Sequence, residues 1–375
     1  MDDLTLTRVA LSIDGMDWYG WKEAQITLSM EQGAGTFQLT LTEQWAGSVR
    51  RPIGPGAACS VSIDGELVIK GWVDDVEPAY DAESHDLTVR GRDATGDLVD
   101  CAVLPPFEYR GLTLTEIATR IAAPFSIPVR AEVDVGKPFE RFAVQPGETA
   151  WEAIERAARM RAVLAMADGR GGLLLTRAGT GQAPAPLVLG GNVLAARGQF
   201  TFKDRFSEYH ALGQQEGSDA FGDAAEASAP NARVTDTAVR RYRPTILLGE
   251  AQGDDGGLKQ RAEWQKAVNA GRSKRATYTV QDWRAAGALW RPNARVSVVD
   301  AYMNLDGEEL FIPRVTMALS EAGTFAGIEV APLDAYKLEP ESKAQADKRE
   351  AGKAARSAEK GKSGGGDPFS LWDAN

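Results

Sequence analysis

The amino-acid sequence predicts a mainly β protein in which two similar small antiparallel β-barrel domains of the tube type accompany an α+β insert. Three observations lead to this fold class. Short runs with apolar residues at every second position recur about every ten residues, which is typical of antiparallel barrels and sandwiches. Thirty-nine Gly and eighteen Pro among 375 residues favour a turn-rich chain over a helical bundle. Finally, features of an early β-module return in the same order near the end of the chain.

Changes in the apolar pattern divide the chain into four parts. We predict the first β-barrel over 1–93, the α+β insert over 94–196 and the second β-barrel over 197–337, with a loop and helix insertion at 215–274. The apolar pattern stops at 338–375, where a charged tether leads into an aromatic C-terminal peptide.

The first barrel is predicted from alternating strands and turn signals. In 36–43, Phe37, Leu39 and Leu41 share one side of the strand, so one face is buried and the other polar. The first strand stops at Asp14-Gly15, which predicts a tight turn, and Asp64-Gly65 is a hairpin signal between two β-branched runs. Strands are expected, in order, at 6–13, 24–30, 36–43, 59–63, 67–73, 76–80 and 87–91.

The insert shows a different pattern, with two capping boxes that each begin a short helix. Thr113 with Glu116, and Thr149 with Glu152, have the Thr-x-x-Glu spacing that satisfies free N–H groups at a helix start. A hairpin is expected around 168–172. Further along, we predict a linker at 179–186, a mobile acidic loop at 215–231 and a helix at 258–270.

The repeat connects residues about 240 positions apart. Five features keep their order in both copies, which favours a true structural repeat over two unrelated hairpins. Because the period is far too long for a solenoid, it implies two copies of one barrel with other material between them. The matched features are Trp45 and Trp283, Arg51-Pro52 and Arg291-Pro292, Cys59–Val61 and Val296–Val298, Asp64-Gly65 and Asp306-Gly307, and Asp93 and Asp334.

Charge and composition argue against several classes of function. The net charge of -11 disfavours binding to duplex nucleic acid or to an anionic membrane, since both need clustered Lys and Arg. We expect no signal peptide and no membrane insertion. Cys59 and Cys101 are expected to be buried free thiols.

No pattern in the sequence selects a catalytic residue, a metal site or a cofactor. His85 and His210 each lie inside a β-run and are expected to be solvated or at the edge of a core. Nucleophile-elbow, Walker and HExxH motifs are lacking. Abundant carboxylates leave a glycosidase-type pair open, although no spacing singles one out. The prediction is therefore a non-enzymatic protein with no cofactor.

Several stretches carry a family resemblance over most of 1–337. The most specific is Arg90-Gly-Arg-Asp-Ala-Thr-Gly-Asp-Leu-Val-Asp-Cys101, preceded by Ile63-Asp-Gly-Glu-Leu-Val-Ile-Lys-Gly-Trp-Val-Asp-Asp75. Gln145-Pro-Gly-Glu-Thr149 and Phe202-Lys-Asp-Arg-Phe-Ser-Glu-Tyr209 also fit. The sequence resembles the baseplate hub proteins of Mu-like contractile-tailed bacteriophages, whose hub portion is similar to that of type VI secretion spike proteins.

This resemblance implies an assembly. A homotrimer with two barrels per chain would form a ring with pseudo-six-fold symmetry, adapting the six-fold tail tube to the three-fold central spike. DNA would only pass through its channel, and the partners would be tube, spike and other baseplate proteins. The protein would be made in the host cytoplasm and reside in the virion tail baseplate. We further expect the barrels to pair edge to edge around the channel, since a ring removes exposed strand edges.

Two other features lead to their own expectations. Phe369, Leu371 and Trp372 are predicted to dock into a partner protein, with 339–366 as the tether, because large aromatic side chains are good interface anchors. The segment 144–166 begins like a LysM module, so an alternative is a peptidoglycan-binding or cell-wall-degrading tail component. A strand, turn and capped helix would produce much the same pattern.

Overall fold

The protein is described by a computed structural model over residues 8–42, 53–82, 85–212, 231–248 and 255–337. The chain forms two compact units. The first unit comprises 1–201 and 270–338, and the second comprises 202–269 and 339–375.

The first module of unit 1 is a set of antiparallel strands joined by tight turns. Asp14-Gly15 and Asp64-Gly65 both place two successive residues at positive φ, the backbone of a type I′ hairpin turn, as the Asp-Gly signals predicted. The strands are β1 (Val9–Ile13), β2 (Met16–Trp18), β3 (Glu23–Ser29), β4 (Thr36–Thr42), β5 (Ala58–Ile63), β6 (Glu66–Tyr80) and β7 (His85–Asp93).

The long strand β6 differs from the prediction of separate strands at 67–73 and 76–80. It runs unbroken for 15 residues, and its pairing with β7 slips by one residue between Val73 and Asp75. A bulge of this kind absorbs one extra residue without ending the strand. The acidic pair Asp74-Asp75 therefore lies in a bulge and does not break the strand.

The α+β insert begins its second and third helices with the predicted capping boxes. The Thr113 N–H donates to Glu116 Oε2 at 2.7 Å, and the Thr149 N–H donates to Glu152 Oε2 at 2.9 Å. The predicted hairpin is formed by β11 and β12. The elements are α1 (Gly96–Asp100), β8 (Glu108–Tyr109), α2 (Leu114–Ala122), a 3₁₀ helix (Ala123–Phe125), β9 (Val129–Ala131), β10 (Phe142–Ala143), α3 (Ala150–Arg159), β11 (Leu164–Ala167) and β12 (Leu173–Thr176).

Unit 2 packs a small sheet against a long helix, which confirms the helix predicted at 258–270. Its core contains Tyr209, Ala211, Leu258 and Ala262. The acidic loop predicted at 215–231 lies outside the described residues except for Asn231. After β13 (Gly181–Gln182), β14 (Leu187–Val188) and β15 (Val193–Phe200) of unit 1, the chain continues with β16 (Glu208–Leu212), β17 (Asn231–Thr235), β18 (Pro244–Leu248) and α4 (Asp255–Arg272).

The second module returns to unit 1 and completes its main sheet. The stretch predicted to be a linker at 179–186 contains β13, which pairs in parallel with β22, so this segment is part of the sheet. The remaining elements are β19 (Lys274–Gln281), β20 (Arg284–Ala285), β21 (Ala288–Leu289), β22 (Ala294–Val299), β23 (Glu308–Ser320), β24 (Gly323–Ala331) and a 3₁₀ helix (Leu333–Tyr336).

Strand order confirms the internal repeat. Neighbouring strands in the first module follow the order β3, β4, β7, β6, β5. Those in the second follow β15, β19, β24, β23, β22, so these five strands of one module each have an equivalent in the other. The Asp64-Gly65 turn between β5 and β6 corresponds to Asp306-Gly307 between β22 and β23.

The expectation of two closed barrels was wrong for the described part of the chain. The strands of both modules join one sheet through β3 and β23, where Arg314 lies opposite Ser29 and Leu319 opposite Ala24. The expected edge-to-edge pairing of the modules is thus found within one chain. Alternating patterns and turn spacing cannot distinguish a closed barrel from a shared sheet, because both bury one face of every strand.

Candidate functional site

The most extensively built site of unit 1 is the place where its two modules meet. We call β3, β23 and the charged cluster beside them the module junction. Ile26 of β3 and Met317 of β23 lie directly opposite one another and are both fully buried. The Met30 N–H donates to the Pro313 carbonyl at 3.0 Å and extends the pairing beyond the strands. Apolar burial and backbone hydrogen bonds therefore act together along this seam.

A charged cluster connects the end of β3 to β19, β24 and the last 3₁₀ helix. Arg275 on β19 forms ion pairs with Glu31, just beyond β3, and with Glu329 on β24. The Tyr336 hydroxyl donates to Glu31 Oε1 at 2.7 Å, and Arg275 Nη2 donates to the Tyr336 oxygen at 3.1 Å. These contacts tie together three stretches that are distant in sequence, around residues 31, 275 and 329–336.

The ionisation of this cluster is fixed by its surroundings. Burial raises the pKa of Glu31, but hydrogen bonds from Arg275 and Tyr336 and the charge of Arg275 outweigh it, so the net pKa lies below its usual range. Burial and the Glu31 carboxylate raise the pKa of Tyr336. At neutral pH Glu31 is a carboxylate and Tyr336 a neutral donor, which is the state that these contacts require.

The hairpin turn of the first module contacts the second module through Glu66. Arg284 Nη2 donates to Glu66 Oε2 at 2.9 Å, and Arg291 Nη2 donates to Glu66 Oε1 at 2.6 Å. Arg284 also reaches the Ile63 carbonyl at 3.4 Å. A carboxylate held by two guanidinium groups is a directional contact, and it fixes how the hairpin meets the module.

A cavity of about 110 Å³ lies where the first module, the insert and the second module meet; its lining includes Ser29, Asp93, Arg130, Asp168 and Arg291. Asp93 is 1% exposed. Its Oδ1 accepts from the N–H and the hydroxyl of Thr95, yet burial dominates and raises the pKa of Asp93 to about 6.

The two carboxylates of this cavity serve the backbone. Asp168 Oδ1 accepts the N–H groups of Arg170 and Gly172 at 2.7 and 2.9 Å and so holds the β11–β12 turn. Asp93 holds the start of α1 through Thr95. Over the described ranges, His, Cys, Asp and Glu form no group of three or more that could hold a metal ion. The geometry supports a structural role for both carboxylates.

The other residues considered from the sequence are dispersed. His85 stacks on Tyr80 with ring centroids 5.7 Å apart, and His210 Nε2 lies 2.8 Å from Glu208 Oε2. Cys59 is buried, which raises the pKa of its thiol to about 12. Cys101 is exposed, so the expectation of a buried thiol was wrong there, because it ends α1 at the surface.

Two candidate binding segments remain predictions. Phe369, Leu371 and Trp372 lie outside the described residues. In the LysM-like segment, α3 buries Ile154 and its neighbouring alanines in the core of the insert, and Trp151 packs partly against the same core. Among the helices that the structure describes, none has both the length and the apolar character needed to cross a bilayer.

Sequence comparison identifies the family of this protein. Three family models match it: the N-terminal domain of Mu phage baseplate assembly protein GpP-like at 8–93, the second domain of baseplate hub protein gp44-like at 95–177, and the fourth domain of Mu phage baseplate assembly protein GpP at 257–339. Baseplate hub protein gp44 of Escherichia phage Mu is 32% identical over 343 residues, covering 89% of this chain and 90% of that protein. The chain belongs to the Mu baseplate hub family.

Solved structures agree with this assignment to the hub family. The 43 kDa tail protein of prophage MuSo2 from Shewanella oneidensis is 38% identical, with a TM-score of 0.79 over 88% of this chain and 99% of that one. An Escherichia coli type VI secretion component, c3393, shares the fold alone at 10% identity, with a TM-score of 0.52 over 88% of this chain and 79% of that one. The hub family gives this protein a structural role in a phage tail baseplate, and its relatives are structural tail proteins.

The residues of the module junction were not found from the sequence. Arg275 and Glu31 are 244 positions apart, and each is an ordinary surface-type residue in an alternating strand pattern. The only available signal was the repeat, which indicates that the modules are equivalent but not which of their edges meet.

We predict that Arg275→Met lowers the free energy of unfolding by about 1–3 kcal/mol, because it removes the nearest cation from the half-buried Glu31 and Glu329 carboxylates. Only the more distant Arg314, at 4.0 and 3.9 Å, would then remain beside them. The neighbouring Lys274→Met is the matched control. Lys274 makes a more exposed pair with Glu308, which should contribute less than about 1 kcal/mol. Urea unfolding of both variants measures the difference, and equal losses would contradict the role given to the cluster.

A second prediction concerns pH. Because the folded pKa of Asp93 is about 6 against an ordinary 3.8, the folded state binds more protons than the unfolded chain between these values. The contribution of Asp93 to the free energy of unfolding should therefore fall as pH rises from about 4 to 6, by up to about 3 kcal/mol, and it is read as the difference between the protein and its Asp93→Asn variant. Asp93→Asn should remove this fall in thermal unfolding scans. Asp100→Asn is the control, since Arg92 lowers the pKa of that exposed carboxylate, and the fall should persist.

Proposed function

We propose that the protein is a homotrimeric hub that adapts the six-fold tail tube to the three-fold central spike. The observation that carries this proposal is the repeated strand order, in which β3, β4, β7, β6 and β5 correspond to β15, β19, β24, β23 and β22. Three chains with two equivalent modules each offer six near-equivalent positions while keeping true three-fold symmetry. Such a ring matches a six-fold partner on one side and a three-fold partner on the other.

The ring would surround a channel through which DNA passes without being held. The net charge of -11 per chain supports this part of the proposal, because an acidic lining repels the phosphate backbone. The partners are the tube, spike and other baseplate proteins. The protein is made in the host cytoplasm and is carried in the virion.

The C-terminal peptide supplies a further contact of the hub with its neighbours. Phe369, Leu371 and Trp372 follow a charged, glycine-containing stretch that can act as a tether. Aromatic anchors on such a tether suit a pocket on an adjacent baseplate protein.

The assembly is tested by mass. Multi-angle light scattering of the purified chain should give three times the 40.3 kDa mass of one chain. A particle that stays monomeric as concentration rises would contradict the trimer. A sedimentation assay with purified cell wall tests the alternative based on 144–166: a hub should stay in solution and leave the wall intact, whereas a glycan-binding protein should sediment with it.

The tethered peptide is tested by co-purification with the spike and neighbouring baseplate proteins. We expect the triple variant Phe369→Ala, Leu371→Ala, Trp372→Ala to lose at least one of these proteins, since the anchors are removed while the tether stays. The control variant Asp373→Ala, Asn375→Ala changes the same end without removing an aromatic or aliphatic side chain. Unchanged co-purification of the triple variant would overturn the docking proposal.

A further inference from the structure

The repeat leaves two strand edges without a partner in the described chain. On the side of β23 that faces away from β24, the strand pairs first with β22 and then, over 314–319, with β3. The equivalent strand β6 pairs with β5 over its first half, but its second half, 75–80, pairs with β7 alone. At the far end of the sheet, β15, the equivalent of β3, pairs with β19, and over 195–200 it has no second strand beside it among the described residues. An isolated bridge joins its first residue, Val193, to Leu189.

Shared partners fix which residues of β6 and β23 are equivalent. Val315 and Tyr278 lie on either side of Ile328 in the second module. Val76 and Leu39 lie on either side of Val89 in the first. The bulges set the register between the two modules, because Asp75 opposite Arg90 and Arg314 opposite Glu329 are the first pairs beyond the bulge in each ladder. Val315 therefore corresponds to Val76, and Leu319, four residues on, corresponds to Tyr80.

The equivalence of β3 and β15 follows from their neighbours, β4 and β19, in which Leu39 corresponds to Tyr278. Ala24 lies opposite Leu39, and Ala196 lies opposite Tyr278, so the two alanines correspond. Phe200, four residues further along β15, then corresponds to Leu28 of β3.

The exposure of side chains at these positions indicates that both strand edges lack a partner in the isolated chain. At the module junction, Leu28 and its opposite residue Val315 are buried. At the equivalent positions, Phe200 is 51% exposed and Val76 is half-buried. Tyr80, four residues beyond Val76 on the same face of β6, is 82% exposed. Apolar side chains on two unpaired strand edges suit a partner strand.

We propose that the second half of β6 in one copy pairs antiparallel with β15 of the next copy, in the register of the module junction. That register places Val76 opposite Phe200 of the next copy, Ala79 opposite Arg197, and Tyr80 opposite Ala196. The inference rests on the proposed function in one respect, the three-fold symmetry. A contact between two different edges, β6 of one copy and β15 of the next, closes into a ring only when the rotation between copies is suitable, and here that rotation is three-fold.

Backbone direction is consistent with this pairing. The hydrogen bond from the Met30 N–H to Pro313 shows that alternate residues of β3 turn their backbone groups toward β23. At the equivalent edge, Val76, Pro78 and Tyr80 face outward. Pro78 has no N–H, so its pair with Gly198 of the next copy supplies one hydrogen bond, while the pairs on either side supply two each.

Charge also suits this partner. On the opposite face of the two strands, the register brings Arg197 of the next copy directly beside Ala79 and diagonal to Glu77. Diagonal neighbours on a sheet are within reach of long side chains of opposite charge. The acidic Asp75 and Glu77 on β6 therefore face a strand whose charged side chain is basic.

Cysteine cross-linking tests the register. Ala79→Cys with Arg197→Cys, in a Cys101→Ser background, places two thiols directly opposite each other across a non-hydrogen-bonded pair, where Cα atoms are about 4.5 Å apart. Mild oxidation should give a covalent trimer on a non-reducing gel. The matched control, Ala79→Cys with Ala195→Cys, keeps the same face but separates the Cβ atoms by about 7–8 Å, and should cross-link at least tenfold less.

Each other outcome rejects the inference in a distinguishable way. Stronger cross-linking of the 79–195 pair would overturn the register. A trimer by light scattering that neither pair cross-links would overturn the strand pairing and leave the trimeric hub intact. A covalent dimer formed by Arg197→Cys alone would show that two β15 strands pair with each other. A protein that never trimerises would reject both this inference and the proposed assembly.

Discussion

The pairing of β3 with β23 is the interaction on which the rest of unit 1 depends. It joins a strand near the start of the chain to one near its end, and it turns two modules into one sheet. Without it, the second half of β23 would expose Val315 and Met317 together with a row of backbone N–H and C=O groups. Buried positions of this kind are stable only when those groups find partners, so the apolar seam and the hydrogen bonds require each other.

The parts of the fold that were predictable are those set by neighbours in sequence. Asp-Gly turns require positive φ at both residues, and a Thr-x-x-Glu box satisfies helix N–H groups within one turn, so 14–15, 64–65 and the starts of α2 and α3 were recognised. The repeat was recognised because the order of its features survives divergence. These signals need no knowledge of the distant chain.

What could not be predicted depends on contacts between distant segments. The alternating pattern of a strand does not indicate which strands pair with it on either side. Two closed barrels and one shared sheet therefore give the same sequence pattern. The bulge in β6 was predicted as a break between strands at 67–73 and 76–80, because an extra residue in one strand is defined only against the strand that pairs with it, here β7. Glu31, Arg275 and Tyr336 were missed because their roles arise only when β3, β19 and the last 3₁₀ helix come together.

The two modules are equivalent in strand order but differ in charge. Across the β23–β24 ladder, Arg314 lies opposite Glu329; across the β6–β7 ladder, Asp75 lies opposite Arg90 at the equivalent positions. The sign of the charge at each of these two cross-strand positions is therefore reversed between the modules. Reversed charges give the two edges different electrostatic preferences, so the two edges would favour different partner strands.

The intrachain position of β3 also has a consequence for how assembly responds to dilution. Because β3 and β23 belong to one polypeptide, their contact forms during folding and does not vary with protein concentration. A contact between copies obeys mass action and loses the translational freedom of a whole subunit each time it forms. In a ring of three such chains, half of the seams would already exist before any two subunits meet, so dilution would separate the particle only at the other half.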